Sequence, residues 1–335
     1  MTNIMKKDLV SVLILNYNGM EYVKELFESL KKVKYPNMEI LFVDNNSKDK
    51  SVDFVEENYP DVKIVRLNKN YGFAKGNNIG VKYTSGKYIV LLNNDTVVDE
   101  NWITELVKMA QKSNKFGIIV SKMYYYDNAD IINYAGAGCD KFVNVFHIGK
   151  HKKDNEIFNI PMKTFYACGA SILFTRELYE KIGLFDPHYF LYTEDVDFSW
   201  RTWISGYKVI YAPKSIIYHK ITEADEEFKP KMFYNGEKHH LWTILKNYQF
   251  KTLISILPVY FIFRIGLIFR NIILGRLKLT YYYKFLSAIL WNLKDIKLIM
   301  KNRKFIETIR QKDDTFIFEL MNKCLTLNKY VKKNL

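Results

Sequence analysis

Residues 10–43 read VSVLILNYNGMEYVKELFESLKKVKYPNMEILFV: an apolar run, a polar turn, a helical pattern and a second apolar run. The first run, VSVLIL at 10–15, is β-prone and does not alternate, which is typical of a strand buried on both faces of a parallel sheet. The turn at 16–19 leads into an amphipathic helix pattern at 20–32. EILFV at 39–43 then predicts the second strand.

The same unit recurs along the chain. A second helix is predicted at 51–58, a third strand at 62–67 and a fourth buried strand at 88–92. Successive βα units imply right-handed crossovers and a parallel sheet whose ligands bind at the carboxyl ends of the strands. We therefore expect an α/β fold in which the polar loops after these strands line a pocket.

The polar segments after the later strands are rich in amides. NKNYGFAKGNNIG at 68–80 holds three glycines and four asparagines, which suits close backbone approach to a ligand or simply a tight loop. It contains neither a GxGxxG nor a Walker sequence. The fourth strand ends in Asn93, Asn94 and Asp95, where the carboxylate could hold a divalent cation together with a substrate diphosphate, or form an ordinary turn.

The stretch GLFDPHYFLYTEDVDFSWRTWISGYKVIYAPKSIIYHK at 183–220 has at its centre a cluster of three carboxylates, Glu194, Asp195 and Asp197, among aromatic side chains. Ionised carboxylates in apolar surroundings need a partner, a proton or a metal. The alternative interpretation is an acidic helix start favoured by the macrodipole. Asp195 or Asp197 could cap this helix, and Asp197 could pair with Arg201 four residues on.

Two strand patterns flank this cluster. FYACGASILF at 165–174 is a buried strand interrupted by small residues at 169–171, where a substrate could come close. After the helix, a strand at 207–212 is broken by Pro213, and a short strand at 215–219 ends in a histidine.

The amino-acid composition limits the possible number of domains, the kind of partner and the cellular compartment. The 335 residues are 48% hydrophobic and suffice for one large or two modest domains. A net charge of +14 indicates an anionic partner, but no nucleic-acid motif is present, so we expect a phospholipid surface or a phosphorylated substrate rather than nucleic acid. Three cysteines without a CxxC pair indicate a reducing compartment. The short first apolar run predicts a strand rather than a cleavable signal peptide.

Beyond residue 230 the composition shifts to long apolar and basic segments. Residues 253–274 are strongly apolar but include Arg264 and Arg270, and these charges roughly offset the apolar gain of a membrane span. We favour helices that lie against the cytoplasmic leaflet, drawn by anionic lipid. A soluble helical region or a dimer interface remains the alternative.

Taken in order, these motifs resemble the inverting glycosyltransferases of family 2, in particular the rhamnosyltransferase-like branch of bacterial surface-polysaccharide biosynthesis. The matching segments are SVLILNYNG at 11–19, FVDNNSKDKS at 42–51, NYGFAKGNNIG at 70–80, YIVLLNNDT at 88–96, ACGASILFTRELYEKIGLFD at 167–186 and YTEDVDFSWRTWISGY at 192–207, with His219 beyond. They cover about the first 220 residues in the family's order.

The resemblance implies a GT-A fold, a Rossmann-like and mostly parallel sheet flanked by helices, in residues 1–230. Residues 231–335 would form a basic, apolar, helical carboxyl-terminal region. It also assigns roles by position: donor contacts to Asp44, Asn45, Gly72, Asn78, Asn93 and Asn94; metal ligands to Asp95 and His219; the general base to Asp195; and acceptor contact or local orientation to Gly169, Glu194, Asp197 and Arg201. The family's metal-binding DxD triplet has an amide here at its first position, Asn93.

The implied function is transfer of a sugar, with rhamnose the leading expectation, from a dTDP- or UDP-linked donor with the help of Mg²⁺ or Mn²⁺. The acceptor would be a saccharide or a polyprenyl-linked saccharide at the inner face of the cell membrane, and a homo-oligomer is possible. One alternative is a sugar nucleotidyltransferase, which needs an early glycine-rich basic loop that this sequence lacks. The other is a noncatalytic sugar-nucleotide-binding or scaffold subunit of a polysaccharide assembly.

Overall fold

The computed structural model describes residues 8–113, 115–220 and 229–334. Within these ranges the strands are β1 Val10–Asn16, β2 Met38–Asp44, β3 Lys63–Arg66, β4 Tyr88–Asn93, β5 Thr96–Val98, β6 Phe116–Tyr125, β7 Asn128–Tyr134, β8 Ala137–Cys139, β9 Val145–His147, β10 Met162–Lys163, β11 Ser171–Thr175 and β12 Lys208–His219. The helices are α1 Met20–Leu30, α2 Ser51–Asn58, α3 Gly72–Gly80, α4 Trp102–Lys112, α5 Arg176–Ile182, α6 Glu194–Ile204, α7 Lys229–Asn247, α8 Phe250–Ile273, α9 Thr280–Lys294, α10 Ile296–Ile309 and α11 Asp314–Asn334.

One mixed sheet organises the fold. Its strand order is β10-β12-β6-β11-β4-β1-β2-β3, with β5 attached to β12 and β7 to β6. The longest pairings, β1 with β2, β1 with β4 and β12 with β6, are parallel, whereas β11 lies antiparallel between β4 and β6. Helices flank this sheet, which confirms the predicted α/β class with a mostly parallel sheet and a helical carboxyl-terminal region.

The glycine-rich segment at 68–80 is largely a helix, although its glycines and asparagines predicted a loop. Gly76 and Gly80 lie on the face of α3 that contacts β1 and β2. A Cβ atom at Gly76 would be 2.8 Å from Leu15, and one at Gly80 would be 2.7 Å from Val43. Glycine is helix-weakening in general, but here it lets the helix backbone approach the sheet closely, and this tertiary packing overrides the local propensity.

The predicted break at Pro213 is wrong. β12 continues from Lys208 to His219, and its register against β6 shifts between Ala212 and Ile216. Pro213 therefore lies in a bulge, one of the few places inside a sheet where proline is tolerated. The bulge keeps His219 on the same long strand as the core residues before it.

The carboxyl-terminal helices pack against the sheet domain through α6. Trp200 meets Tyr248 edge to face at 4.7 Å between ring centroids, and Trp203 contacts Phe316 at 6.0 Å. Trp242 of α7 is fully buried. The helix that carries the acidic cluster is thus held between the sheet and the carboxyl-terminal third of the chain.

Candidate active site

Polar side chains meet at the carboxyl edge of the sheet, where parallel strands end side by side. Asn16 ends β1 and lies in register with Asp44, which ends β2. On the other side of β1, Leu15 lies opposite Asn93 at the end of β4. The Asn94 side chain donates a hydrogen bond to Asn16 Oδ1 at 2.8 Å. This edge is where ligands bind in open α/β sheets, so the sequence prediction of a polar edge is confirmed.

The side chain of Asn45 shapes the loop that leads into α3. Its amide donates to Asn70 Oδ1 at 3.0 Å and to the Gly72 carbonyl at 3.2 Å, and its Oδ1 accepts from the Tyr71 backbone N–H at 2.8 Å. Asn45 is buried, and so is the adjacent Asp44. Asn45 therefore sets the course of the backbone beside the sheet edge through interactions within the protein.

Gly72 and Asn78 fix the segment before the acidic cluster against α3. Gly72 has φ +76°, and a Cβ atom there would lie 2.5 Å from the Phe190 carbonyl oxygen. That carbonyl accepts the Phe73 backbone N–H at 2.8 Å. The Asn78 side chain donates to the Phe185 carbonyl at 2.7 Å and accepts from the Phe185 N–H at 3.0 Å. Both residues hold the chain that carries Phe190 in place.

Asp95 and His219 are brought together by the antiparallel pairing of β5 with β12, in which His219 lies opposite Thr96. His219 Nε2 is 3.2 Å from Asp95 Oδ1. Among the described residues, that Asp95 oxygen and His219 Nδ1 are buried without a hydrogen-bond partner. A carboxylate oxygen and an imidazole nitrogen that converge in this way fit a divalent cation. No group of three or more His, Cys, Asp or Glu residues placed to hold a metal ion occurs in the described ranges, so substrate and water would supply the other ligands.

The acidic cluster opens α6 as predicted, but neither Asp195 nor Asp197 caps the helix. Thr193 precedes it in a left-handed conformation with φ 64° and no side-chain capping bond, and Tyr192 has φ 74°. Two consecutive left-handed residues other than glycine are costly, and such strain clusters at functional sites. This turn places Glu194 and Asp195 in the first turn of the helix.

Asp195 lies in an environment that favours its protonated form more than water does. Burial raises the pKa of Asp195, and backbone N–H donors, from Gly169 at 3.2 Å and Val196 at 2.8 Å, offset this only in part. Burial and the charge of Asp195 raise the pKa of Glu194 as well. Glu194 Oε2 is buried and has no hydrogen-bond partner in the described part of the chain. A carboxylate with a raised pKa is suited to accept a proton near neutral pH.

The Cys168 thiol is buried near the acidic cluster. Burial raises the pKa of this thiol to about 12, and the negative charges of Asp195, Asp95 and Glu194 add to the increase, while a backbone hydrogen bond opposes it. The thiol is therefore protonated near neutral pH.

Asp197 has a different environment, although it is only two residues from Asp195. The predicted pair with Arg201 is present at 2.9 Å, and Lys246 Nζ of α7 lies 2.9 Å from the other carboxylate oxygen. Lys246 also contacts Asp186 at 2.7 Å. All four side chains of this network, Asp186, Asp197, Arg201 and Lys246, are buried. Asp197 and Arg201 thus anchor α6 to its surroundings.

A cavity of about 390 Å³ opens at the sheet edge. Four of the residues predicted to contact the donor line it, namely Asn45, Gly72, Asn93 and Asn94. The other lining residues are Leu15, Tyr17, Asn70, Phe73, Phe190, Leu191, Tyr192, Lys231, Met232 and Asn235. A Cβ atom at Gly169 would lie 3.3 Å from Phe73 and 3.9 Å from Asp195. The general-base candidate is therefore separated from the cavity wall by a single glycine.

The wall contributed by α7 was not predicted from the sequence. Lys231, Met232 and Asn235 come from the carboxyl-terminal region, which carries no motif. No local sequence pattern marks these residues as part of a cavity wall.

Comparison with known proteins places the chain in a family. The model described as Glycosyl transferase family 2 matches residues 11–183. A poly-beta-1,6-N-acetyl-D-glucosamine synthase from Staphylococcus epidermidis is 24% identical over 216 residues, which is 64% of this chain and 50% of that protein. The glycosyltransferase GlyG of Streptococcus pneumoniae serotype 4 is 30% identical over 128 residues, or 37% of this chain and 42% of that protein. The chain thus spans about half the length of such relatives.

Solved structures share the fold. The structure of S. aureus TarS residues 1–349 in complex with UDP-GlcNAc superposes with a TM-score of 0.57 at 17% identity. The match covers 84% of this chain and 79% of that 1–349 chain. The mannosyltransferase PcManGT from Pyrobaculum calidifontis, in complex with GDP-Man and Mn²⁺, has a TM-score of 0.52 at 15% identity over 90% of this chain and 86% of its own. These likenesses support the GT-A architecture.

Proposed function

The chain belongs to glycosyl transferase family 2 and is a glycosyltransferase, and on that premise we propose that its cavity binds a nucleoside-diphosphate sugar. We propose further that the sugar is transferred from this donor with inversion of its anomeric carbon. The observation that carries the proposal is a cavity lined by amides, with Asp195 across Gly169 from its wall and the Asp95–His219 pair following the strand end that lines it. Structures of two proteins with this fold hold UDP-GlcNAc in one case and GDP-Man with Mn²⁺ in the other. For this chain we propose a UDP- or dTDP-linked donor, with rhamnose as the first sugar to test.

In the proposed reaction, Asp195 accepts the proton of an acceptor hydroxyl while the oxygen of that hydroxyl forms a bond to the anomeric carbon. The bond from that carbon to the diphosphate oxygen breaks on the opposite face, so the anomeric configuration inverts. Each Asp195 oxygen accepts one backbone N–H, which leaves lone-pair capacity for a proton. Mg²⁺ or Mn²⁺ held by Asp95 and His219 would neutralise charge on the leaving nucleoside diphosphate.

The remaining residues of the site would bind and orient. Asp44, at the buried end of β2, is proposed to contact the nucleotide base, while Asn45 and Asn78 hold the surrounding backbone through the bonds described above. Lys231 lines the cavity, and we propose that its ammonium attracts the donor diphosphate. Glu194 carries a buried, unpartnered oxygen and is proposed to orient the acceptor hydroxyl.

We propose that residues 1–230 perform the transfer and that residues 231–335 support the catalytic helix α6 and the location of the enzyme. A saccharide or polyprenyl-linked saccharide used in surface-polysaccharide synthesis is the proposed acceptor class. A polysaccharide synthase is among the relatives of the chain. The corresponding location is the cytoplasmic side of the cell membrane.

The test is release of nucleoside diphosphate from a panel of UDP- and dTDP-sugars with Mn²⁺, Mg²⁺ or EDTA. Asp195→Asn removes the base with little change in shape, so transfer should fall by about a thousandfold or more while calorimetric donor binding persists. Asp61→Asn, at an exposed position, is the matched control and should behave as wild type. Equal loss of donor binding and turnover in Asp195→Asn would contradict the role of a base. No release from any donor, even with lipid-linked acceptors, would favour the noncatalytic scaffold alternative.

A further inference from the structure

Helices α8 and α9 both expose large apolar side chains to solvent. On α8 the exposed side chains follow one face of the helix, and the exposed fractions of Ile262 and Ile273 reach 74% and 82%. This surface, called the α8–α9 face, comprises Phe250, Ile254, Ile262, Phe269 and Ile273 of α8 and Tyr283, Leu290 and Leu293 of α9. Phe269 contacts Tyr282 at 5.1 Å between ring centroids, which joins the two helices. Exposed apolar area of this extent marks an interaction surface.

The charge around the α8–α9 face has one sign. Residues 250–294 contain seven lysines and arginines and no aspartate or glutamate. Arg264 is buried, and the other six basic residues are Lys251, Arg270, Arg276, Lys278, Lys284 and Lys294. A surface that is both apolar and uniformly basic is complementary to anionic phospholipid. Two copies of the chain that met through this face would bring like charges together, which disfavours a second copy as the partner.

The inner face of α8 packs against the rest of the protein. Leu253, Ile256, Tyr260 and Ile268 are buried in the core. Arg264 lies on the same inner face and donates from Nε to Glu237 Oε2 of α7 at 3.1 Å. α8 is long and apolar enough to cross a membrane by composition, with a mean hydropathy of 2.1 over its most apolar window. With one face against the protein and a buried ion pair beneath it, α8 instead suits a position parallel to a bilayer surface.

We propose that the α8–α9 face binds the surface of an anionic phospholipid bilayer, with the outer side chains of α8 and α9 inserted at the level of the headgroups and the basic residues contacting phosphate. This inference extends beyond the proposed transferase activity and does not depend on it.

The position of the face explains why such binding would serve a lipid-carried acceptor. α7 lines the cavity through Lys231 and Asn235, and it packs against α9 through ring contacts such as Trp242 with Trp291 at 5.1 Å. Asn292 of α9 also donates to the Lys238 carbonyl of α7 at 3.0 Å. A single helix therefore separates the cavity from the proposed membrane surface.

The experiment is co-sedimentation of the full chain with vesicles of phosphatidylcholine alone or with about 30% phosphatidylglycerol. Wild type should bind the anionic vesicles, and about 1 M salt should weaken binding because it screens the charges. Ile262→Ser/Ile273→Ser should lower the partition coefficient by about tenfold or more. Ile160→Ser, at an apolar side chain that is exposed elsewhere, is the control and should not change binding. Arg276→Gln, at an exposed position, should lower the partition coefficient for anionic vesicles by about fivefold.

Four outcomes would overturn the proposal. In the first, wild type fails to bind either vesicle type, and in the second, the double variant binds as wild type does. A wild-type dimer that the double variant converts to a monomer, without lipid binding by either, would assign the face to a second copy. Protein that resists extraction from native membranes by alkaline carbonate would indicate a membrane span. Because the substituted side chains are exposed, melting temperature and donor hydrolysis in solution should not change, which separates failure of this inference from failure of the proposed reaction.

Discussion

Replacing Lys246 with methionine removes an ammonium that lies 2.7 Å from Asp186 and 2.9 Å from Asp197. Asp197 keeps its pair with Arg201. Asp186 keeps neutral hydrogen-bond donors, among them Trp242 Nε1 at 3.0 Å, but loses the ammonium. A buried carboxylate left without its charge partner costs about 3–5 kcal/mol. In a chain of 335 residues, this corresponds to a fall in melting temperature of roughly 4–7 °C.

The assay is thermal and urea unfolding of three variants beside wild type. Lys304→Met changes an exposed lysine on α10 and should shift the free energy of unfolding by less than about 0.5 kcal/mol. Lys246→Met/Asp186→Asn removes the stranded charge together with its partner and should recover a large part of the loss. If Lys246→Met is no less stable than Lys304→Met, or if the double variant recovers nothing, the buried network does not hold α6 as we describe.

The pH dependence gives an independent check. Burial alone would raise the pKa of Asp186, but the charge of Lys246 and hydrogen bonds from neighbours lower it, and the net pKa lies well below the usual value. A carboxylate whose folded pKa is lowered contributes stability above its unfolded pKa, about 3.9, and loses it as the pH falls below that value. Because the unfolded chain titrates alike in both proteins, the stability difference between wild type and Lys246→Met should shrink as the pH falls through the pKa of Asp186 in the variant, where that carboxylate takes up a proton while the wild-type carboxylate stays ionised.

Other expected outcomes concern the site. Burial raises the pKa of Asp195, and the base must be ionised to act, so the acid limb of the pH profile of kcat/KM should have its midpoint clearly above about pH 4. A midpoint near the ordinary aspartate pKa of about 3.9 would contradict either the burial of Asp195 or its role as the base. Asp95→Asn and His219→Ala should each raise the Mn²⁺ concentration for half-maximal donor hydrolysis by more than about tenfold, and an unchanged metal titration would remove them from the metal site. Gly72→Ala should lower the free energy of unfolding by about 1–3 kcal/mol and raise the donor KM, because the added methyl group would lie 2.5 Å from the Phe190 carbonyl oxygen. A variant with the wild-type free energy of unfolding and the wild-type KM would refute this close contact.

Strands β1, β2 and β4 could be predicted from the sequence because each contains a continuous apolar run. The position of β11, antiparallel between β4 and β6, could not, because it depends on pairings between strands that are distant in the chain. The segment at 68–80 could not, since its helix depends on the approach of Gly76 to Leu15, a contact that local propensity does not contain. The strand through Pro213 was missed for a similar reason, because the bulge that accommodates the proline is defined by pairing with β6.

The site was predicted in part. Residues at strand ends, such as Asn93, follow from topology, because parallel strands end at one edge. The pairing of Asp95 with His219 depends on two strands 110 or more positions apart in the chain, and only the resemblance to a family proposed it. Lys231 and Asn235 were missed, since no local pattern marks them as part of a cavity wall.

The ion pairs that Lys246 forms with Asp186 and Asp197 also have a consequence for biosynthesis. During translation, the segment with Asp195 leaves the ribosome before α7 has been made, so Asp186 and Asp197 then lack their ammonium partner. We expect α6 to remain loosely held in the nascent chain and to become firmly fixed only after the helices that follow have emerged. The enzyme would therefore acquire activity late in its synthesis, at about the time its proposed membrane-binding helices become available.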